Sequence, residues 1–119
     1  MHGARTFTKA DRLQRGWQFR RVYDEGRCAK GRLLVVYALD APEEPRRVGV
    51  VTSRRVGNAV TRNRGRRLLR EAYRLHKHEL PEHLQLVMVA RTAISHKKLR
   101  DVETEMLLLW RSAGLLPST

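Results

Sequence analysis

The sequence predicts a small α+β protein, an α/β sandwich in which a helix, a β-hairpin, a second helix, a strand and a third helix follow one another. Three segments space their apolar residues three and four apart, as amphipathic helices do. Between them lie short runs rich in β-branched residues, which favour strands. The length of 119 residues suits a single modest core. We therefore interpret residues 1–119 as one domain.

The first helix is predicted within residues 14–26, and the glycine at the end of that segment is predicted to stop it. Its apolar residues recur at helical spacing: Trp17, Phe19, Val22 and Tyr23. Its start is ambiguous, because Thr8 with Asp11 resembles a capping box whereas Gly16 interrupts the pattern. Residues 1–10 are basic and unpatterned, which predicts a flexible arm.

An antiparallel hairpin is predicted next. Residues 32–40 and 46–53 are both rich in β-branched side chains, and they flank the turn-prone stretch 41–45. Side chains on both faces of the first strand are apolar. We therefore expect other parts of the chain to cover both faces of the sheet.

Two helices and a strand complete the predicted order. Residues 57–78 form the second helix, with Asn58 as its N-cap. Residues 84–90 form another strand, and residues 95–116 form the third helix, with Ser95 as its predicted cap. The predicted buried stripe of the third helix consists of Leu99, Val102, Met106, Leu109 and Trp110.

The charge of the chain predicts a polyanionic partner. It carries 25 Lys and Arg against 12 Asp and Glu, a formal net charge of +13. Such an excess destabilises a compact fold by self-repulsion unless an anion neutralises it, and nucleic acid is the leading candidate. The apolar runs are too short to span a membrane and no signal peptide opens the chain, so no membrane partner is expected. Cys28, the single cysteine, predicts a reducing, cytoplasmic location.

The second predicted helix, which we call the arginine helix, concentrates this charge. At 100° per residue its core face collects Thr61, Gly65, Leu68, Leu69, Ala72 and His76. The opposite face collects Arg66, Arg67, Arg70 and Arg74 with Asn63, and Arg62 and Arg64 flank it. Arg54 and Arg55 extend the positive surface, and Glu71 is the only acid within residues 54–74. A solvated helix would intersperse acids for i,i+4 support, so the pattern predicts a polyanion-binding face. Charge alone does not distinguish RNA from DNA.

The string 57-GNAVTRNRGRRLLREAYR-74 closely resembles the signature of the protein subunit of bacterial ribonuclease P. The Arg-Asn-Arg core follows Gly-Asn-Ala-Val and precedes a basic helix that contains leucines. Matching segments at matching spacings extend the resemblance over almost the whole chain: 18-QFRRVYDEG-26, 32-RLLVVYALD-40, 47-RVGVVTSRRVGNAV-60 and 87-VMVAR-91.

This resemblance implies a noncatalytic protein in a 1:1 complex with a large catalytic RNA. In that family the RNA removes the 5′ leader from precursor tRNA, and Mg²⁺ held mainly by the RNA supports the chemistry. The sequence is consistent with this, because no carboxylate cluster and no Ser/His/Asp or Cys/His constellation is evident. The family fold contains an uncommon left-handed βαβ crossover, which here would be the arginine helix.

The resemblance also implies two RNA-contacting surfaces. The first would bind the catalytic RNA, or the substrate near the cleavage site, through Arg62, Asn63, Arg64, Arg66, Arg67 and Arg70. We add to this predicted RNA-binding surface the neighbouring residues Arg54, Arg55, Asn58 and Arg74. The second, which we call the aromatic cleft, would hold the single-stranded 5′ leader between the first helix and the sheet through Phe19, Tyr23, Val35 and Tyr37. Aromatic faces beside basic side chains suit single-stranded RNA of any sequence.

Two positions depart from the family pattern. Gly65 stands where a bulky aliphatic residue is usual, and a glycine inside a helix costs about 1 kcal/mol relative to alanine. A neighbouring side chain is expected to fill the gap, and the cationic face should be unaffected. Val51 stands where a small polar residue is common, which puts one polar contact of the aromatic cleft in doubt.

Other interpretations remain open from the residues alone. His76, His78 and His83 could suggest a metal site, but no cysteine joins them and the first two point to different sides of a helix. Solvated histidines are therefore expected, with no protein metal site.

A small protein nuclease would need a base and metal ligands near the arginines. A major-groove DNA-binding protein would need a helix-turn-helix partner, which the element order does not supply.

Overall fold

The computed structural model of the chain describes residues 8–117, which form three α-helices and one four-stranded sheet. The helices and strands are, in chain order, α1 Gly16–Glu25, β1 Arg27–Lys30, β2 Leu34–Asp40, β3 Arg47–Val51, α2 Ala59–His76, β4 Leu84–Ala90 and α3 Leu99–Ser112. Short 3-10 turns lie at Lys9–Asp11, Arg54–Val56, Lys77–Glu79 and Thr92–His96. The predicted α+β class is confirmed.

The strand order is β1-β2-β4-β3, so the predicted hairpin between residues 32–40 and 46–53 is wrong. β4 lies between these two strands, antiparallel to β2 and parallel to β3. The hairpin is instead made by β1 and β2, and β1 had not been predicted. Its sequence, Arg-Cys-Ala-Lys, carries no β-branched residue, and Ala29 is the only buried residue of the strand.

α2 connects the parallel strands β3 and β4 and is therefore the crossover of a βαβ unit. The left-handed sense of that crossover stays a prediction from the resemblance. α2 covers the same face of the sheet as α3, and together they bury the larger core. Members of that core include Leu34, Val36, Leu69, Tyr73, Leu86, Met88, Met106 and Trp110, all with no more than 1% exposure.

α1 covers the opposite face of the sheet and buries a smaller core of Leu13, Val22 and Val87. The expectation that both faces are covered is therefore confirmed. The side chains of β2 alternate accordingly: Val36 packs in the larger core, whereas Tyr37 and Leu39 pack against the smaller one.

The N-terminal end of α1 is organised by side chains that accept backbone hydrogen bonds. Thr8 and Asp11 do form a capping box, but it caps the 3-10 turn Lys9–Asp11 and not α1. α1 begins at Gly16. Gln18 Oε1 accepts hydrogen bonds from the backbone N–H groups of Gln14 and Arg15, the two loop residues before the helix, at 2.8 and 2.9 Å. Of the predicted flexible arm, residues 1–7 lie outside the described residues, and Lys9 and Ala10 belong to the capped turn.

α3 begins four residues later than predicted, and Ser95 is not its cap. Residues Thr92–His96 form a 3-10 turn, and Lys98 is the N-cap of α3. Asp101 Oδ2 accepts a hydrogen bond from the Lys98 backbone N–H at 3.0 Å. Of the predicted stripe, Val102, Met106, Leu109 and Trp110 are buried, and Leu99 packs partly buried at its edge.

Glu105 of α3 fixes the turn between β1 and β2. Its Oε1 accepts from the backbone N–H of Arg32 at 3.0 Å, and its Oε2 accepts from Leu33 and Leu34 at 2.7 and 3.0 Å. A Cβ on Gly31 would overlap the same carboxylate. The hairpin is thereby attached to α3 through one side chain.

Within residues 8–117, no helix has the length and apolar content that crossing a membrane requires.

Candidate nucleic-acid interface

The start of the arginine helix, α2, is set by a glycine and two caps. Gly57 has a φ of 149°, in the region that favours glycine, and a Cβ there would approach Thr61 at 2.9 Å. Ser53 Oγ accepts from the Arg55 backbone N–H at 3.3 Å. Asn58 Oδ1 accepts from the Thr61 backbone N–H at 2.9 Å, which confirms the predicted N-cap.

The ten residues predicted to bind RNA lie along α2 and the turn before it. Five are exposed: Arg54, Arg55, Asn58, Asn63 and Arg67. The other five are half-buried: Arg62, Arg64, Arg66, Arg70 and Arg74. Gly65, Leu69 and Ala72 of the predicted core face are buried, and Tyr73 is buried beside them although the helical wheel did not place it there.

Three of the half-buried arginines are held by neutral acceptors. Arg62 donates to the Gly57 carbonyl at 2.9 Å, and Arg64 donates to the carbonyls of Ser95 and Lys97 at 3.2 and 2.5 Å. Arg66 Nη1 donates to the Thr52 hydroxyl at 2.7 Å, and its Nη2 donates to the Asn63 side-chain oxygen. Carbonyls and hydroxyls orient a guanidinium without cancelling its charge, so these arginines remain positive and pre-positioned.

Arg74 differs, because its guanidinium forms an ion pair with Glu71 at 2.6 Å. The hydrogen bond from Arg74 lowers the pKa of the Glu71 carboxyl. Glu71, the single acid of the arginine helix, therefore neutralises Arg74 in the C-terminal half of the helix. Arg74 attracts an anionic ligand less strongly than the neighbouring arginines do.

Arg70 has an environment that disfavours its own charge. Burial lowers the pKa of its guanidinium, and repulsion from Arg12 and Arg66 lowers it further. Arg70 also lines a pocket of about 330 Å³ together with Lys9, Arg12, Phe19 and Gly49. An anion at this place would relieve the repulsion between these cations.

The four residues of the aromatic cleft lie on α1 and on the sheet face that α1 covers, and Tyr23 contacts a different strand from Phe19. The rings of Tyr23 and Tyr37 meet edge to face, with centroids 4.8 Å apart and planes at 89°. Burial raises the pKa of both phenols, which therefore stay neutral at physiological pH. Val35 is 9% exposed, two residues before Tyr37 on β2. Phe19 lies over β3 instead, where its ring packs on Gly49.

Two parts of the site were missed from the sequence. Gly49 was not singled out, although a glycine inside a β-rich run is a signal for close backbone approach. Arg12 lies in a loop without periodicity, so no local signal indicates that its N-terminal segment reaches β3. In the fold, Arg12 pairs with Val48 in an isolated parallel bridge, and the Leu13 backbone N–H donates to the Val48 carbonyl at 2.9 Å.

The two departures from the family pattern have clear surroundings. Gly65 is buried, as the helical wheel predicted, and a Cβ there would contact methyl groups of Ile94 and Thr52 at 3.5 Å. The position therefore has room for a methyl group, and the predicted filling of the gap by a neighbouring side chain stays a prediction. Val51 packs partly buried beside the smaller core.

His76 is not a solvated helix-end histidine as the sequence suggested. Its Nδ1 lies 2.7 Å from Glu79 and its Nε2 lies 2.8 Å from Glu103 of α3. His78 and His83 are exposed. Across the described part of the chain, no group of three or more His, Cys, Asp or Glu side chains could hold a metal ion.

Comparison with known proteins identifies close relatives of this fold and sequence. The family model described as Ribonuclease P matches residues 7–114. The ribonuclease P protein component of Clostridium acetobutylicum is 36% identical over 110 residues, which cover 91% of this chain and 92% of the relative. The Staphylococcus aureus RNase P protein superposes with a TM-score of 0.81 at 26% identity, over 92% of this chain and 100% of that one. The Thermotoga maritima RNase P protein, solved with 1-(4-fluorophenyl)-2-thiourea, gives a TM-score of 0.75 at 28% identity, over 84% of this chain and 98% of that one.

Proposed function

The chain belongs to the ribonuclease P protein family, and from this premise we propose that it binds a catalytic RNA through the arginine helix and the 5′ leader of precursor tRNA through the aromatic cleft. The resulting ribonucleoprotein removes the leader from the precursor. The protein is a monomer in a 1:1 cytoplasmic complex with the RNA, and it contributes binding but no catalytic group.

The observation that carries this proposal is the way the arginine helix holds its charge. Arg62, Arg64 and Arg66 are oriented by carbonyl, hydroxyl and amide oxygens, none of which is anionic. Arg54, Arg55 and Arg67 are exposed beside them. Oriented guanidinium groups lose less entropy on binding, and each can brace two phosphates or stack on an unpaired base. Folded RNA presents both of these partners.

The aromatic cleft supports the second half of the proposal. Tyr23 is 38% exposed, so part of its ring is available to a ligand, and the edge-to-face contact with Tyr37 fixes its orientation. A fixed, neutral aromatic ring stacks on any base, which suits leaders of differing sequence. The pocket shared by Phe19 and Arg70 connects this cleft to the arginine helix, so that one RNA strand could contact both surfaces.

In the proposed complex, RNA-bound Mg²⁺ supports the hydrolysis and the protein contributes binding. A protein catalyst would need carboxylates near the arginines to hold metal ions or to act as a base. Glu71, the one acid of α2, is instead paired with Arg74. Mg²⁺ keeps several waters and favours phosphate oxygens, which the RNA supplies.

A cleavage assay tests the proposal and separates it from a nuclease that acts alone. Precursor tRNA is incubated at low Mg²⁺ with the protein, with the catalytic RNA, and with both. We expect efficient release of the 5′ leader in the third mixture alone. Cleavage by the protein without the RNA would contradict the proposal. Equal affinity of the protein for the catalytic RNA and for duplex DNA would favour the DNA-binding alternative.

A further inference from the structure

A second cationic surface lies outside the arginine helix and the aromatic cleft, where the β1–β2 turn meets the start of α3. We call it the α3 patch and define it by the side chains of Arg32, Lys97 and Arg100. They line a pocket of about 350 Å³ together with Asp101, Thr104, Glu105 and Leu108. Arg32 and Arg100 are exposed and Lys97 is half-buried. None of the three side chains forms an ion pair or hydrogen bond with another residue between 8 and 117.

Asp101 and Glu105 line the same pocket, so the three cations of the α3 patch exceed its two acids by one formal charge. Glu105 accepts three backbone hydrogen bonds from the β1–β2 turn, and Asp101 accepts the Lys98 backbone N–H. Neither carboxylate forms an ion pair with a cation in the described part of the chain. Lys97 and Arg100 also stand at the N-terminal end of α3, where the helix dipole disfavours positive charge. An anion bound there would offset both the mutual repulsion and the dipole.

The α3 patch adjoins the arginine helix. Arg64 donates to the carbonyls of Ser95 and Lys97, which fastens the start of α3 to α2. A smaller groove lined by Arg64, Arg67, Leu68, Glu71 and Leu99 lies between the two cationic surfaces, and its one acid, Glu71, is paired with Arg74. Positive charge therefore continues from α2 across Leu99 to Arg100.

From this continuity we infer that the α3 patch is an additional contact for the catalytic RNA, and that it binds the sugar-phosphate backbone next to the segment on α2. The Thr104 hydroxyl donates to the Arg100 carbonyl at 2.9 Å, which leaves its oxygen free to accept a hydrogen bond from a ribose 2′-hydroxyl. Leu108, 58% exposed, offers an apolar contact beside it. The inference rests on the proposed function, because it takes the catalytic RNA as the occupant.

The salt dependence of affinity for the catalytic RNA tests this inference. Each lost phosphate contact should reduce the slope of log K against log salt by about 0.7 to 0.9. Arg100→Gln should reduce the slope by one such step, and the combined Arg32→Ala, Lys97→Ala and Arg100→Ala variant by about two to three. The matched control is Arg111→Ala, which removes an exposed charge at the other end of α3, about 16 Å away, and should change the slope by less.

A cross-linking experiment locates the contact. In a Cys28→Ser background, a photo-cross-linker on Thr104→Cys should capture the catalytic RNA, whereas the same reagent on Ser112→Cys should not. An unchanged slope in the triple variant, or no adduct at position 104, would overturn the inference. If Arg67→Ala still weakens binding in that case, the proposed function stands. If Arg67→Ala also has no effect, the proposed function fails as well.

Discussion

The ring of Phe19 lies directly on the backbone of Gly49, so closely that any Cβ at position 49 would overlap it. α1 can cross β3 at this distance because the strand has a glycine there. Gly49→Ala should therefore displace Phe19 and weaken binding of leader-bearing precursor tRNA more than binding of mature tRNA. Affinities of the protein–RNA complex for the two substrates measure this. Equal loss for both would show that the position of Phe19 does not govern the aromatic cleft.

The two proposed surfaces should respond differently to substitution. Arg67 is exposed on the cationic face, so Arg67→Ala should reduce the salt slope of catalytic RNA binding by nearly 1. Phe19→Ala should leave that slope unchanged and weaken leader-bearing precursor more than mature tRNA. Arg67→Lys keeps the charge and serves as the control. The same effect from both alanine variants would contradict the separation of the two surfaces.

Gly65→Ala should stabilise the protein by about 1 kcal/mol. The added methyl group meets Ile94 and Thr52 at ordinary contact distance, and alanine favours the helix over glycine. Urea unfolding followed by circular dichroism measures the change in free energy, and RNA affinity should stay unchanged. Gly26→Ala is the contrasting variant, because its Cβ would press against the backbone carbonyl oxygens of Val22 and Ala38 at 2.5 and 2.8 Å. A destabilised Gly65→Ala protein would mean that the site is more tightly packed than described.

His76 should make stability depend on pH. Burial lowers the pKa of its imidazole, but the hydrogen bonds to Glu79 and Glu103 outweigh it, so the folded-state pKa lies above the usual 6.5. The stabilisation is then complete below about pH 6.5 and is lost as the pH rises through the raised folded pKa. Urea unfolding between pH 6 and 9 should show this decline in the unmodified protein, and His76→Gln should reduce it. His78→Gln, at an exposed position, is the control and should keep the decline.

Glu105→Gln should destabilise the protein by about 1–3 kcal/mol. One carboxylate accepts three backbone N–H groups, and an amide supplies a single acceptor oxygen while it turns an NH₂ group toward the remaining donors. Equilibrium unfolding measures the loss. Glu82→Gln is the matched control, because Glu82 is exposed and forms no ion pair or hydrogen bond within residues 8–117. Equal stability of the two variants would contradict the anchoring role of Glu105.

The sequence predicted the positions of the helices and strands better than it predicted which strands pair with each other. The arginine helix and its Asn58 cap were predictable, because capping and periodicity involve residues close in the chain. The pairing of β2 with β4 was not, since nothing local to residues 32–53 indicates that a strand more than 30 residues later inserts between them. β1 was missed because its strand character comes only from pairing with β2.

The candidate site shows the same limit. The cationic face of α2 followed from the helical wheel, whereas the acceptors that orient its arginines come from other segments. Arg64 binds carbonyls about thirty residues away, and Arg66 binds the hydroxyl of Thr52. No periodicity encodes these contacts. The sequence therefore predicted which side chains are cationic but not which of them the fold holds in place.

The central position of β4 bears on how the chain matures during synthesis. β2 and β3 each pair with β4 but not with each other, so neither joins a sheet of more than two strands until residue 90 has left the ribosome. The arginine helix emerges before that moment, when β4 and α3, which pack against its apolar side in the folded chain, are not yet available. We expect that synthesis of the last third of the chain limits the rate of folding. Truncation before β4 should leave an aggregation-prone fragment that binds nucleic acid, and not a smaller folded unit.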